Sequence, residues 1–402
     1  MYKAMKLQRL QDMSVKGKRV LLRVDYNVPL KGDVVTDATR IRETLPTLKH
    51  LLDAGCKVVV VAHLGRPKGK VNPKYSLKPV AGELKKLLKR EVRFAEDCVG
   101  EKADAAVQGL GPGEILLLEN LRFYPEEETN DPEFSKKLAK HGEVFVQDAF
   151  GALHRAHAST AGVAKLMPGC IGFLVQKELE YLDRVLSNPE RPFLAILGGA
   201  KVSDKLAVTL KLLDRVDALL IGGGMAYTFL HADGISIGNS LLEKERIADA
   251  KAVIEKAFGK NVELLLPADH VVVKGEPRED AEASVSQGMA IHEGYTGVDI
   301  GPRAIAFFEE KIGQAKTIFW NGPMGIFEMK PFSKGSFAVA KALAEATARG
   351  ATTVVGGGDS LACLTAVGLA DKITHCSTGG GASLEFMEGK VLPGLAALAS
   401  DA

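Results

Sequence analysis

Short runs of valine, leucine and isoleucine recur along this chain, and between them apolar residues return at three- and four-residue spacing. The first pattern predicts buried strands and the second predicts amphipathic helices. In the first half, the runs 19–24, 57–63, 92–96, 115–119 and 144–148 read as strands. Helices are expected over 40–54 and 78–90. In the second half, strands are expected at 193–197, 218–221, 262–266, 317–320 and 352–355, with helices over 203–213, 243–258, 334–349 and 361–369. Apolar strands alternating with helices imply parallel sheets covered on both faces. The predicted fold class is α/β, with two doubly wound parallel-sheet domains of similar size. Ligands of such folds sit beyond the carboxyl ends of the strands.

Residues 176–187 read as a helix with Leu179, Leu182 and Leu186 on one face, and Asn188-Pro189-Glu190-Arg191-Pro192 stops it. The expected organisation is a first domain over 1–175, an interdomain helix and hinge over 176–190, and a second domain over 191–389. At 402 residues and 46% hydrophobic content, two cores are within reach. A net charge of +2 argues against a general nucleic-acid grip. The apolar runs are too short to cross a bilayer, and the first ten residues contain no apolar stretch of signal-peptide type. Five scattered cysteines without a CxxC read as reduced thiols in the cytoplasm.

Charge matters here for its placement. Basic residues gather at the strand ends of the first half. Arg23, Asp25 and Asn27 close the first strand. His63-Leu64-Gly65-Arg66-Pro67 follows the second, Glu119-Asn120-Leu121-Arg122-Phe123 the fourth, and a loop with His154, Arg155 and His157 the fifth. Any one of these is an ordinary polar turn. Four together, in a near-neutral chain, point to a site for a small polyanion held by guanidinium forks.

Glycines take the same places in the second half. Gly198-Gly199-Ala200-Lys201 leads to Ser203 and Lys205. If the helix begins by Lys201, the two lysines share a face. If Ser203 is the N-cap, Lys201 stays in the loop. Gly222-Gly223-Gly224, Trp320-Asn321-Gly322-Pro323-Met324-Gly325 with Glu328, Gly294 to Gly297, Gly356-Gly357-Gly358-Asp359-Ser360 and Thr378-Gly379-Gly380-Gly381 outline a mononucleotide site. Asp359 suits a magnesium ion bridging phosphates, a helix N-cap, or both. Neither G-x4-G-K-[ST] nor G-x-G-x-x-G is present, which weighs against a P-loop enzyme and a nicotinamide dehydrogenase. A non-catalytic nucleotide sensor would have no need of the arginines.

The ordered motifs RVDYNVP, HLGRP, ENLRF, HRAHAST, GGAKVSDK, WNGPMG, GGGDS and STGGGASLE resemble the phosphoglycerate kinase family. Tyr26 departs from it, since the family usually has phenylalanine there. The resemblance implies reversible phosphoryl transfer between 1,3-bisphosphoglycerate and MgADP, giving 3-phosphoglycerate and MgATP. It implies a cytoplasmic monomer that bends at a hinge, with no nucleic acid or membrane partner. Residues 390–402 are expected to return to the first domain. The implied phosphoglycerate set is Asp25, Asn27, Arg40, His63, Arg66, Arg122 and Arg155, with Arg23, Leu64 and Gly65 beside them. The implied nucleotide set is Gly199, Lys201, Lys205, Gly223, Gly224, Gly297, Asn321, Pro323, Glu328, Gly357, Gly358, Asp359 and Ser360. Arg40, Lys201 and Lys205 are the expected catalytic residues. Gly379 and Gly380 are expected to donate backbone N–H groups to the transferred phosphoryl, and Asp359 to hold Mg²⁺.

Overall fold

A computed structural model describes residues 5–399. In the first half the strands are β1 (Arg19–Val24), β2 (Leu30–Lys31), β3 (Val34–Val35), β4 (Lys57–Val61), β5 (Arg93–Ala95), β6 (Ile115–Leu118), β7 (Val144–Asp148) and β8 (Gly169–Ile171). Six of them form a parallel sheet in the order β5-β6-β4-β1-β7-β8, and β2 and β3 make a small hairpin. The order turns back at β1, so the crevice of this sheet opens beyond the ends of β1, β4 and β7.

These strands are apolar throughout because both faces are buried. Val20, Leu22, Val58, Val60 and Leu117 enter one core, with Leu48, Leu51, Val80 and Leu84 from the helices Leu45–Asp53 and Lys78–Leu88. Leu21, Val59, Val61, Leu116 and Phe145 enter the other, with Val107, Phe134 and Leu138.

The second half contains β9 (Phe193–Leu197), β10 (Ala218–Ile221), β11 (Glu263–Leu265), β12 (His270–Lys274), β13 (Ala283–Val285), β14 (Tyr295–Ile300), β15 (Thr317–Asn321), β16 (Thr352–Gly356) and β17 (His375–Cys376). Its parallel sheet runs β11-β10-β9-β15-β16-β17, and β13-β12-β14 form a separate antiparallel sheet. Leu194, Ile196, Leu220, Ile318 and Trp320 pack on Phe308, Ile312, Val339 and Leu343 from the helices Pro302–Gln314 and Lys334–Ala348. The chain is thus an α/β protein with two six-stranded parallel sheets.

Residue contacts gather into two compact units that divide inside the helix Phe173–Ser187. One runs to Glu180 and takes up the chain again from Lys390, and the other is Tyr181–Gly389. In the first unit, Gly394 N–H donates to Leu153 O at 3.0 Å. Residues 400–402 of the expected returning tail lie outside the described residues.

Several helices differ from expectation, and those expected to begin at 176 and 243 begin at Phe173 and Ile247. The stretch 40–54 is two helices, Thr39–Glu43 and Leu45–Asp53. Thr44 Oγ1 takes the Ile41 carbonyl at 2.9 Å, and Pro46 cannot donate to the preceding turn. The helix expected at 203 begins at Leu206, and the one expected at 361 begins at Gly358. The antiparallel sheet was not foreseen, and it places Gly297 inside β14, opposite Val272.

Candidate functional site

In the first unit, β1 ends in a knot of charge. Arg40 Nη1 donates to Asp25 Oδ2 at 2.7 Å, and Asn27 N–H donates to Asp25 Oδ1 at 3.2 Å. Gly65 N–H donates to Asn27 Oδ1 at 2.8 Å, while Gly65 O accepts from Arg122 Nη1 at 2.8 Å. Gly65 has φ +63°, and a Cβ on it would meet the Tyr75 ring at 2.3 Å, so glycine is required by both conformation and space. Arg122 is buried, with Nε 3.4 Å from Glu128 Oε1. Arg155 is half-buried, with Nε donating to His154 Nε2. Arg66 is exposed.

Arg23 is 1% exposed and all three of its nitrogens are engaged. Nε donates to Ser159 Oγ at 2.8 Å, Nη1 to Val24 O, and Nη2 to His63 Nδ1 at 3.1 Å. Burial, then the guanidiniums of Arg23, Arg122 and Arg40, holds His63 well below the usual histidine range. Burial and Arg122, Arg23 and Arg155 bring His157 down to about 3. Both rings are therefore neutral at physiological pH, and the positive charge here belongs to the arginines.

Two residues missed from the sequence hold this cluster together. Asn120 is fully buried, and its Nδ2 donates to Leu64 O and Tyr75 O while its Oδ1 accepts from Leu64 N–H and Arg122 N–H. Glu127 is fully buried and accepts from Ser159 N–H and Oγ–H. Asn120 lies within the ENLRF motif, which was the available signal. Glu127 sits in an acidic run that reads as solvated surface.

In the second unit, three strand-end loops are stitched backbone to backbone. Gly198 N–H donates to Asn321 O, Gly199 N–H to Pro323 O, Gly223 N–H to Met324 O, and Met225 N–H to Gly199 O. Gly223 has φ +66°, and a Cβ there would lie 2.6 Å from Gly199 N. These glycines permit the loops to touch. The N–H groups of Gly199 and Gly223 are already taken by these bonds, so neither is free to donate to a phosphate.

Beside this platform is a cavity of about 320 Å³. Gly199, Gly223, Gly224, Gly297, Pro323, Met324, Glu328 and Asp359 line it, as do Tyr227, Leu241 and Val298, which the sequence did not single out. Its apolar walls with a few polar groups at the rim suit a flat base and a sugar.

The other expected nucleotide residues form a neighbouring group. Lys205 Nζ bonds Asn321 Oδ1, and Asn321 Nδ2 is buried with no partner among the described residues. A Cβ on Gly357 would lie 3.0 Å from that nitrogen. Gly357 precedes the helix Gly358–Ala366, whose first N–H groups have no partner within the helix. Asp359 lies exposed in its first turn, and the N-cap position belongs to Gly357. Unpartnered donors at a helix start suit an anion. Burial lowers Lys205, while Asp204 and Asp359 draw it back. Ser360 Oγ accepts from Gly322 N–H at 2.6 Å, so this hydroxyl braces the neighbouring turn.

Lys201 is in the loop and exposed, and Ser203 Oγ donates to Glu243 Oε1, so Ser203 is not the N-cap. Gly379 and Gly380 precede the helix Gly381–Met387, and Gly379 N–H donates to Ser377 Oγ at 3.2 Å. Among the described residues, no group of three or more His, Cys, Asp or Glu side chains forms a metal cluster. No helix among the described residues is long and apolar enough to cross a membrane.

The phosphoglycerate kinase family model matches residues 10–390. The phosphoglycerate kinase of Elusimicrobium minutum is 55% identical over 394 residues, spanning 98% of both chains. That of Chlorobaculum tepidum is 53% identical over 396 residues, spanning 98% of this chain and all of its own. Among solved structures, phosphoglycerate kinase from Coxiella burnetii superposes with a TM-score of 0.87 at 42% identity, over 98% of each chain.

Proposed function

The chain belongs to the phosphoglycerate kinase family, glycolytic enzymes that transfer phosphate between 1,3-bisphosphoglycerate and ADP, and on that premise we propose how its residues divide the work. The observation that carries this reading is a pair of sites of different chemistry, each beyond the carboxyl ends of a parallel sheet. One is an arginine cluster around neutral histidines, and the other a glycine-lined cavity beside unpartnered donors.

Arg40, Arg66, Arg122 and Arg155 hold the phosphate and carboxylate of 3-phosphoglycerate, with Asp25 and Asn27 on its hydroxyl. His63 adds a neutral donor. The base and ribose lie in the 320 Å³ cavity with Glu328 accepting from the sugar. Lys205, Asn321 Nδ2 and the N–H groups at Gly358–Ala366 hold the nucleotide phosphates. The carboxylate of 3-phosphoglycerate attacks the γ-phosphorus of ATP, the bond to the β,γ-bridging oxygen breaks, and ADP leaves. An ionised carboxylate needs no general base, so catalysis rests on alignment and on neutralising the transferred group. Arg40 and Lys201 are assigned to its equatorial oxygens, with the Gly380 N–H, while the expected Gly379 N–H is engaged by Ser377 Oγ.

A magnesium ion would neutralise the nucleotide phosphates when bound. Asp359 fits as its protein ligand, because nucleotide-bound magnesium takes one or two carboxylates and completes its shell with phosphate and water. Five cysteines with no disulfide among the described residues support a reducing, cytoplasmic setting. Exposed large apolar side chains are isolated along the chain, which supports a monomer.

The test is ADP formation from MgATP with and without 3-phosphoglycerate, with hydroxylamine present to trap acyl phosphate. ADP formed only with 3-phosphoglycerate is expected. Equal ADP in both would remove the arginine cluster from the reaction.

A further inference from the structure

Every hydrogen bond in the chain from Glu127 to His63 has a fixed direction. A carboxylate only accepts, so Ser159 Oγ donates to Glu127 Oε1 at 2.6 Å and its N–H donates to Oε2 at 2.9 Å. The Ser159 oxygen then has lone pairs only for an incoming donor, and Arg23 Nε supplies it at 2.8 Å. A guanidinium has donors and no acceptor. Arg23 Nη2, 3.1 Å from His63 Nδ1, therefore donates to that nitrogen. The single proton of the neutral ring is left to Nε2, which no group among the described residues bonds.

Burial points the same way. Arg23, Ser159 and Glu127 are each at most 1% exposed. By contrast Arg40, which pairs with Asp25, keeps 31% of its side chain open. Arg23 has its three nitrogens directed at protein atoms, whereas Arg40, Arg66 and Arg155 keep exposed surface.

We propose that Arg23 is a positioning residue and not a phosphoglycerate ligand, and that the chain Glu127–Ser159–Arg23 fixes His63 as the Nε2–H tautomer that donates to the substrate. This rests on the reading of the first unit as the phosphoglycerate site. A fixed tautomer lets the ring donate to an anion without a proton being taken up first. It also leaves the charge of the site to the guanidiniums, which do not titrate.

The experiment is long-range ¹H–¹⁵N correlation of the imidazole nitrogens in the full-length labelled enzyme near neutral pH. The His63 signals are assigned by their loss in His63→Gln. In the wild type, Nδ1 is expected in the unprotonated range and Nε2 in the protonated range. Arg23→Met, which removes the donor, should give a mixture of tautomers and raise KM for 3-phosphoglycerate about tenfold, with KM for MgATP unchanged. Arg23→Lys should restore the tautomer, since an ammonium also donates. Ser159→Ala should loosen the tautomer preference from one residue further away. A wild-type ring protonated on Nδ1, or on both nitrogens, overturns the proposal even if no variant folds. So does an Arg23→Met protein that keeps the tautomer yet loses 3-phosphoglycerate as severely as Arg122→Met. Adding 3-phosphoglycerate must move the His63 signals. If they stay still, the site reading fails, and with it the donor role of His63, whatever the tautomer.

Discussion

The Tyr26 hydroxyl is buried 3.0 Å from Thr44 Oγ1, which itself bonds the Ile41 carbonyl. This ties the strand end carrying Asp25 and Asn27 to the helix carrying Arg40. Tyr26→Phe removes one partner of a buried pair and should cost about 1 kcal/mol of stability, read as a lower urea midpoint. No change would mean that Thr44 is satisfied by Ile41 alone. Asp359 lies in the first turn of the helix Gly358–Ala366, where it is proposed to hold the magnesium of the nucleotide. Asp359→Ala should weaken MgADP binding in calorimetry by about 2 kcal/mol and spare 3-phosphoglycerate. The reverse would remove Asp359 from the metal. Candidates such as Asp25 and Asp359 could be picked out because charge at the end of an apolar strand is conspicuous, whereas Arg40 lies in the helix Thr39–Glu43 and was named through the family resemblance. Asn120 and Glu127 could not, because a buried polar group is explained only by partners such as Leu64, 56 residues away, or Ser159, 32 residues away.

At the scale of elements, ten of the twelve strands in the two parallel sheets were legible to within a residue or two, since a parallel strand buried on both faces shows itself as an unbroken apolar run, whereas the short edge strands β8 and β17 and the antiparallel sheet were not. The helices were less so. Side-chain bonding at Thr44 divides one of them, and the start at Leu206 depends on a Ser203–Glu243 pair that no local pattern announces. The helix Phe173–Ser187 has a similar hidden anchor. Asp148, fully buried at the end of β7, accepts from Leu174 N–H at 2.9 Å and Val175 N–H at 3.2 Å. Burial pushes its carboxyl from 3.8 up to about 7, with the Thr47 hydroxyl and the two N–H groups opposing. A folded-state value above the unfolded one means the folded form is favoured most below pH ~4 and loses ground as pH rises to ~7. Asp148→Asn keeps an acceptor for both N–H groups but cannot ionise. Its stability relative to the wild type should therefore rise between pH ~4 and ~7, by up to about 4 kcal/mol at ~1.4 kcal/mol per unit. Urea midpoints of both proteins across that range check it. A constant gap, or one that grows in the wild type's favour, would show that Asp148 is ionised throughout.

At the scale of the whole molecule, each unit has its own parallel sheet, its own core and its own cluster of candidate ligand groups. A ligand that binds only the native form stabilises it by RT ln(1 + [L]/Kd), about 2.7 kcal/mol at a hundredfold excess over Kd. In a chain with two separate cores, that stabilisation is first felt by the unit that makes the contacts. Hydrogen exchange on the full chain should then show 3-phosphoglycerate alone slowing the amides of Gly65 and of Ser159, whose N–H is held by Glu127. MgADP alone should slow the amides at the start of Gly358–Ala366 and around the stitched loops of Gly199 and Gly223. The assignment of ligands to units depends on this contrast. If 3-phosphoglycerate protected the second unit's glycine loops and left Gly65 unchanged, the arginine cluster would lose its substrate. The neutral histidines would then need another anion to explain them. If each ligand protects its own unit, the division seen in the sequence, arginines at the strand ends of one half and glycines at those of the other, is a division of ligands.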